Sequence, residues 1–114
     1  MKYALLLYSS PEANDRHLEG GDAIVAEYAA IFGAPGVVDG LRLESPDTAT
    51  TVRVENGEAL LSDGPYVDAK EYLGGLYVIE ADNLDAATAI AQRVPTARLG
   101  GAVEVRPINE QPLS

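Results

Sequence analysis

The sequence contains no cysteine and no tryptophan, and it has one histidine, one phenylalanine and two lysines among 114 residues. Without Cys there is no disulfide framework, no thiolate nucleophile and no zinc–thiolate site. A single His excludes His-rich metal clusters. Basic residues are also few: eight Lys and Arg stand against eighteen Asp and Glu, a net charge of −10. Cut after Gly57, each half carries nine acids and four bases, so there is neither a basic arm nor an acidic tail. Nucleic acids and anionic membrane surfaces require a basic face, and neither is expected as a partner. Long apolar runs are missing as well. Tyr3–Tyr8 is too short for the core of a signal peptide or for a bilayer span. It reads as a buried first strand, and a cytoplasmic location is expected.

What is present suits a single domain over residues 1–114, with 46% apolar residues to build a core. A domain of this size buries only about two-thirds of its extended-chain surface, so a subunit interface would add useful burial. After Tyr3–Tyr8, Ser9-Ser10-Pro11 reads as a stop. Asp22 is placed to cap a helix in which Ile24, Val25, Tyr28, Ile31 and Phe32 recur at helical spacing; Gly33, Pro35 and Gly36 end it. Val37–Leu43 reads as a strand interrupted by Gly40. Asn56-Gly57 joins Thr51–Glu55 to Glu58–Ser62 as a two-residue hairpin turn, with Val52 and Val54 expected on a buried face. Leu76–Ile79 is a further buried strand. Asp82 or Asn83 caps a second helix carrying Leu84, Ala87, Ile90, Ala91 and Val94, and Pro95 stops it. Ala102–Arg106 is the last strand, and a polar tail, Asn109–Ser114, follows.

With the hairpin set aside, the order is βαββαβ. The expected class is α+β: a ferredoxin-like antiparallel sheet with two helices on one face and an inserted β-hairpin. Such a plan leaves the other sheet face bare. With Tyr3, Tyr8, Tyr66, Tyr72 and Tyr77 in or beside the strands, a second copy is expected to cover it, giving a homodimer.

The segment SDGPYVDAKEYLGGLYVIEADNLDAATAIAQRVPTARLGGAVEVRPI resembles the DGPF-type proteins of the YCII-related family. Their motif reads approximately Asp-Gly-Pro-Phe-x-Glu-x-Lys-Glu-x-x-Gly-Gly. Here it stands as Asp63, Gly64, Pro65, Tyr66, Asp68, Lys70, Glu71, Gly74 and Gly75, with Tyr66 in place of Phe and Asp68 in place of Glu. The likeness spans nearly the whole chain except Ser9–Phe32. It implies a dimeric α/β-barrel-like assembly. Some relatives resemble lyases or dehydrochlorinases that use a His–Asp pair, and others are linked to alternative sigma factors. The His of such a pair corresponds to His17; the acid falls near Arg93 and Val94, where this sequence has none.

The residues themselves allow two readings. Asp63-Gly64-Pro65 is turn chemistry, serving either as a corner into the next strand or as a carboxylate at a cleft rim. Lys70, between Asp68 and Glu71, is expected to pair with Asp63 or Asp68 or to hold an anionic group. Gly74-Gly75 and Gly100-Gly101 precede strands and fit no phosphate-binding motif; bulges or close strand approach explain them, and no cofactor is expected. His17, in a stretch read as a loop, is either a general base or an exposed histidine. Arg98 could clamp a carboxylate, and Tyr66, Tyr72 or Tyr77 could form a pocket wall and donate hydroxyls beside Gly64 and Pro65. The candidate catalytic residues are therefore His17 and Asp63. The candidate ligand residues are Gly64, Pro65, Tyr66, Lys70, Tyr77 and Arg98. Binding of a small molecule or of a sigma-factor-type protein stands ahead of the alternative, proton abstraction or elimination on a small organic acid.

Overall fold

Among the described residues six strands and two α-helices succeed one another: β1 (Lys2–Ser9), α1 (Pro11–Phe32), β2 (Val37–Arg42), β3 (Thr50–Glu55), β4 (Glu58–Asp63), β5 (Tyr72–Glu80), α2 (Leu84–Arg93) and β6 (Ala102–Pro107), with short 3-10 turns at Pro46–Thr48 and Pro95–Ala97. The structure is a computed structural model and describes residues 1–111, so the end of the expected polar tail lies outside the described residues. Four strands form one sheet in the order β2-β5-β1-β6, every neighbour antiparallel. The hairpin β3–β4 forms a separate two-stranded sheet. The domain is α+β, and its strand order is compatible with the ferredoxin-like plan.

Strand alternation decides what lies on each face. Tyr3 and Leu5 of β1 pair with Ile79 and Tyr77 of β5, and these four are buried with Ile31 of α1 and Ala87, Ala91 and Val94 of and beside α2. That cluster is the core. Ala4, Leu6 and Tyr8 point to the opposite face, level with Val78, Leu76 and Leu73. The tyrosines are therefore distributed differently from the expectation. Tyr3 and Tyr77 lie beneath the helices, Tyr66 is 71% exposed in a loop, and Tyr8 alone among the five stands on the open face. That face is mainly leucine, valine and alanine.

The helix α1 begins twelve residues earlier than the sequence suggests, capped at Ser10 and not at Asp22. Ser10 caps it, accepting a hydrogen bond from the Ala13 N–H at 3.2 Å, and Pro11 occupies the first turn. Ser followed by Pro is a start signal as well as a stop, because the first helical N–H needs no partner. The helix breaks at Gly21 (φ 56°, ψ −140°), directly before the expected cap Asp22. The second helix is capped by Asn83, whose side chain accepts from the Ala86 N–H at 2.9 Å.

The hairpin turns on Asn56 and Gly57, both at positive φ. It does not bury Val52 and Val54: they are 59% and 67% exposed, and Leu61, opposite Val52, is 69% exposed. The arm projects from the domain, and the radius of gyration of 16.0 Å exceeds the roughly 13 Å of a globular chain this long. Gly74 is skipped in the pairing between Leu7↔Gly75 and Tyr8↔Leu73, so the glycine pair does mark a bulge. Among the described residues no helix is long and apolar enough to cross a membrane.

Candidate functional site

Between α1 and the β2 side of the sheet lies an open cleft of about 910 Å³, within the usual range for small-molecule sites. Its floor owes its depth to two residues without side chains. Gly40 and Gly75 both lie on the helix-facing side, and a Cβ on Gly40 would stand 2.7 Å from the Tyr77 ring. A Cβ on Gly75 would stand 2.7 Å from the Leu41 carbonyl oxygen. The walls are largely apolar, with Leu7, Ile24, Val25, Phe32 and Leu43 among them.

At one end of the cleft, three side chains form a continuous hydrogen-bonded chain. His17 Nδ1 lies 2.7 Å from the Ala13 carbonyl oxygen, and His17 Nε2 lies 2.6 Å from the Tyr28 hydroxyl. The Tyr28 hydroxyl lies 2.7 Å from Thr96 Oγ1. A carbonyl can only accept, so Nδ1 carries the hydrogen. In the neutral ring Nε2 is then an acceptor: Tyr28 donates to it, and the buried Thr96 hydroxyl donates to Tyr28. When the ring is protonated, Nε2–H donates to Tyr28 and the phenol turns to Thr96. In both states the two side-chain hydrogen bonds remain.

The break at Gly21 makes this contact. His17 and Tyr28 are eleven residues apart, which in a straight helix separates them by about 16 Å along the axis. Folding at Gly21 instead brings the rings to 5.7 Å between centroids, nearly parallel at 22°. Burial holds the Tyr28 phenol above its ordinary range, with the Thr96 hydrogen bond opposing the shift, and burial raises the Tyr77 phenol likewise.

Of the candidate side chains singled out from sequence, His17, Tyr72 and Tyr77 line the cleft. His17 is on a helix, half-buried and bonded at both nitrogens, not in an exposed loop. The Tyr77 hydroxyl donates to the Tyr28 carbonyl at 3.5 Å. Asp63, Gly64, Pro65 and Tyr66 stand at the base of the hairpin, away from this wall. There the corner is held by the Gly64 N–H to the Ala49 carbonyl at 2.7 Å and by Thr51 Oγ1 to the Gly64 carbonyl at 2.8 Å, rather than by the Asp63 carboxylate. Arg53 lies over the Tyr66 ring at 5.6 Å. Lys70 pairs with Glu12 at 3.4 Å, not with Asp63 or Asp68. Arg98 is bound to Glu27 at 2.5 Å. With Arg93, Glu27, Ala30 and Ile31 it lines a smaller hollow of about 260 Å³. Sequence reading placed Tyr28 only as an apolar helix position and passed over Thr96 altogether. No spacing marks either one, because the chain-level signal is the Gly20-Gly21 break that folds Tyr28 back onto His17.

A family model described as YCII-related domain matches residues 1–111. An uncharacterised protein of Rhizobium meliloti (strain 1021) is 33% identical over 117 residues, an alignment covering 95% of this chain and 92% of that protein.

Proposed function

The chain belongs to the YCII-related family, and from that premise we propose that it binds a small organic molecule in the cleft and moves a proton to or from it through Tyr28 and His17. One observation carries the reading: an unbroken Thr96–Tyr28–His17 hydrogen-bonded chain that opens onto an apolar, ligand-sized cleft. A ligand X–H donates to the Tyr28 oxygen. As Tyr28 passes its own proton to His17 Nε2, it takes the ligand's. The ligand leaves as an anion, His17 becomes imidazolium and Tyr28 remains a phenol, so no tyrosinate accumulates. The resemblance implied a carboxylate near the end of α2 to orient the histidine. Here the Ala13 carbonyl fixes the tautomer, and Thr96, three residues past Arg93, supports the phenol. Apolar walls strengthen these hydrogen bonds by excluding water.

The test is proton exchange. Small carbonyl compounds and organic acids are incubated with the protein in D2O, and loss of C–H signal is followed by proton NMR. The reading expects exchange above background for at least one compound, abolished by His17→Gln and by Tyr28→Phe. Absence of catalysed exchange across the panel, or exchange unaffected by both substitutions, overturns it.

A second observation favours a homodimer. On the open sheet face, Ala4, Leu6, Tyr8, Leu73, Leu76 and Val78 form an apolar centre flanked by Asp39 on β2 and by Glu104 and Arg106 on β6. An apolar centre with a charged rim is the composition of a protein interface, and a second copy presents the complementary sheet.

A further inference from the structure

Among the described residues, Arg42 is the one lysine or arginine that lines the cleft. It ends β2 opposite Gly75, on the helix-facing side. Neither of its flanking positions on that face, Gly40 and Gly75, has a side chain to cover it. Its charge, after that of Arg98, opposes the burial-driven rise of the Tyr28 phenol. The cations singled out from sequence are engaged elsewhere: Lys70 with Glu12 and Arg98 with Glu27. Among the described residues Arg42 has no ion pair and no side-chain hydrogen bond, although the chain carries eighteen acids. Glu44, two residues on, also lines the cleft and leaves Arg42 unpaired.

We propose that Arg42 anchors the carboxylate of a small, apolar-bodied organic acid, setting its hydrocarbon portion along the cleft and its far end at Tyr28. A guanidinium offers a planar fork that matches a carboxylate with two parallel N–H···O bonds. One cation with Glu44 nearby suits a single negative charge and disfavours a dianion such as a phosphate monoester. The apolar wall of Leu7, Ile24, Val25, Phe32 and Leu43 suits an aromatic or branched aliphatic body. This deepens the reading of the cleft as a ligand site and rests on it. It names Arg42 as the binding residue and leaves proton transfer to Tyr28 and His17.

The test uses phenylacetate, phenylacetamide and phenethylamine, which share one body and carry a negative, a neutral and a positive head. Each is titrated calorimetrically into the intact protein. Saturable binding of phenylacetate, at least about tenfold tighter than either analogue, is expected. Arg42→Gln should remove that margin, and Arg42→Lys should restore part of it. Arg53→Gln, which removes the same charge from the hairpin, should bind phenylacetate as the parent does, and a parent that binds phenylacetate without catalysing exchange would fail in proton transfer and not in anchoring. No saturable phenylacetate binding, equal binding of the amide, preference for the amine, or an unchanged affinity in Arg42→Gln with its melting curve intact each overturns the proposal.

Discussion

The Cβ that Gly20 lacks would stand 2.2 Å from Ile24 Cγ1, inside any tolerable contact. Its neighbour Gly21 adopts φ 56° with open space around it. The two glycines are needed for different reasons, packing in the first and backbone conformation in the second. Together they permit the break that brings Tyr28 to His17. Alanine at Gly21 meets no clash, so its cost is backbone strain alone, about 1–3 kcal/mol. At Gly20 the cost is displacement of the buried Ile24, of similar size. Both variants should melt several degrees lower, about 4 °C or more per kcal/mol for a domain this size. Both should also shift the His17 ring resonances as the bond to Tyr28 lengthens. Unchanged ring resonances in Gly21→Ala would show that the break is not what holds the pair.

Thr96 isolates the outer link of the relay. It is 3% exposed and supplies the hydroxyl that meets Tyr28. Thr96→Val keeps the shape and removes that hydroxyl, leaving the phenol oxygen without its donor. The expected destabilisation is about 1 kcal/mol, read by urea unfolding. Thr96→Ser restores the hydroxyl and should recover part of any exchange rate lost in the valine variant. A valine variant with the parent's exchange rate would remove Thr96 from the relay.

Alkaline pH should weaken the fold through the two buried phenols. Burial raises Tyr28 and Tyr77 above the ordinary value of 10.0. In this direction the unfolded chain loses its protons first as pH rises. The stabilising contribution is therefore complete below the unfolded pKa and is lost as pH climbs through the folded one. Urea midpoints should be level to about pH 9 and fall toward about pH 11. Tyr28→Phe and Tyr77→Phe should each flatten that fall. A slope identical in parent and variants would place the alkaline transition on other groups.

Much of the architecture was legible in residues whose chemistry is local. Asn56-Gly57 made its hairpin turn, Gly74-Gly75 marked a bulge, and Asn83 capped α2. The first half of α1 was not legible. Pro11 signals either an end or a beginning, and Gly20-Gly21 looked like a loop when it is a break between two helical stretches. The site depended on that stretch, so of its side chains only His17, Tyr72 and Tyr77 were singled out. Arg42 could have been found by alternation, since it lies two residues beyond Gly40 and shares its face. The hairpin valines alternate as a buried face would, yet alternation cannot tell whether a layer exists to cover them.

The DGP corner and its lysine should tolerate change. The Lys70–Glu12 pair is exposed on both sides, with side chains 75% and 64% accessible. Such pairs lie in water and are screened by salt. The carboxyl of Glu12 is nevertheless held below its usual range, first by a backbone hydrogen bond in the opening turn of α1 and then by Lys70. Lys70→Ala and Asp63→Asn should each leave the melting temperature unchanged within measurement. A cooperative loss of structure in either would make the motif architectural after all.

The open sheet face sets the sharpest test of assembly. Leu6 and Leu76 pair across β1 and β5 at its centre, and Leu41 of β2 continues the row. None of these leucines belongs to the buried core. A charge at Leu6 or Leu76 would cost the isolated fold little, but in a sheet-on-sheet dimer it would be buried opposite its symmetry mate without a counter-ion. Light scattering on Leu6→Glu and Leu76→Glu should therefore give the mass of one chain, against two for the parent, with the far-ultraviolet circular dichroism preserved. The cleft lies on the other side of the sheet, so phenylacetate titration of the monomeric variants should match the parent. A parent that already has the mass of one chain would leave the apolar face uncovered and end the dimer reading.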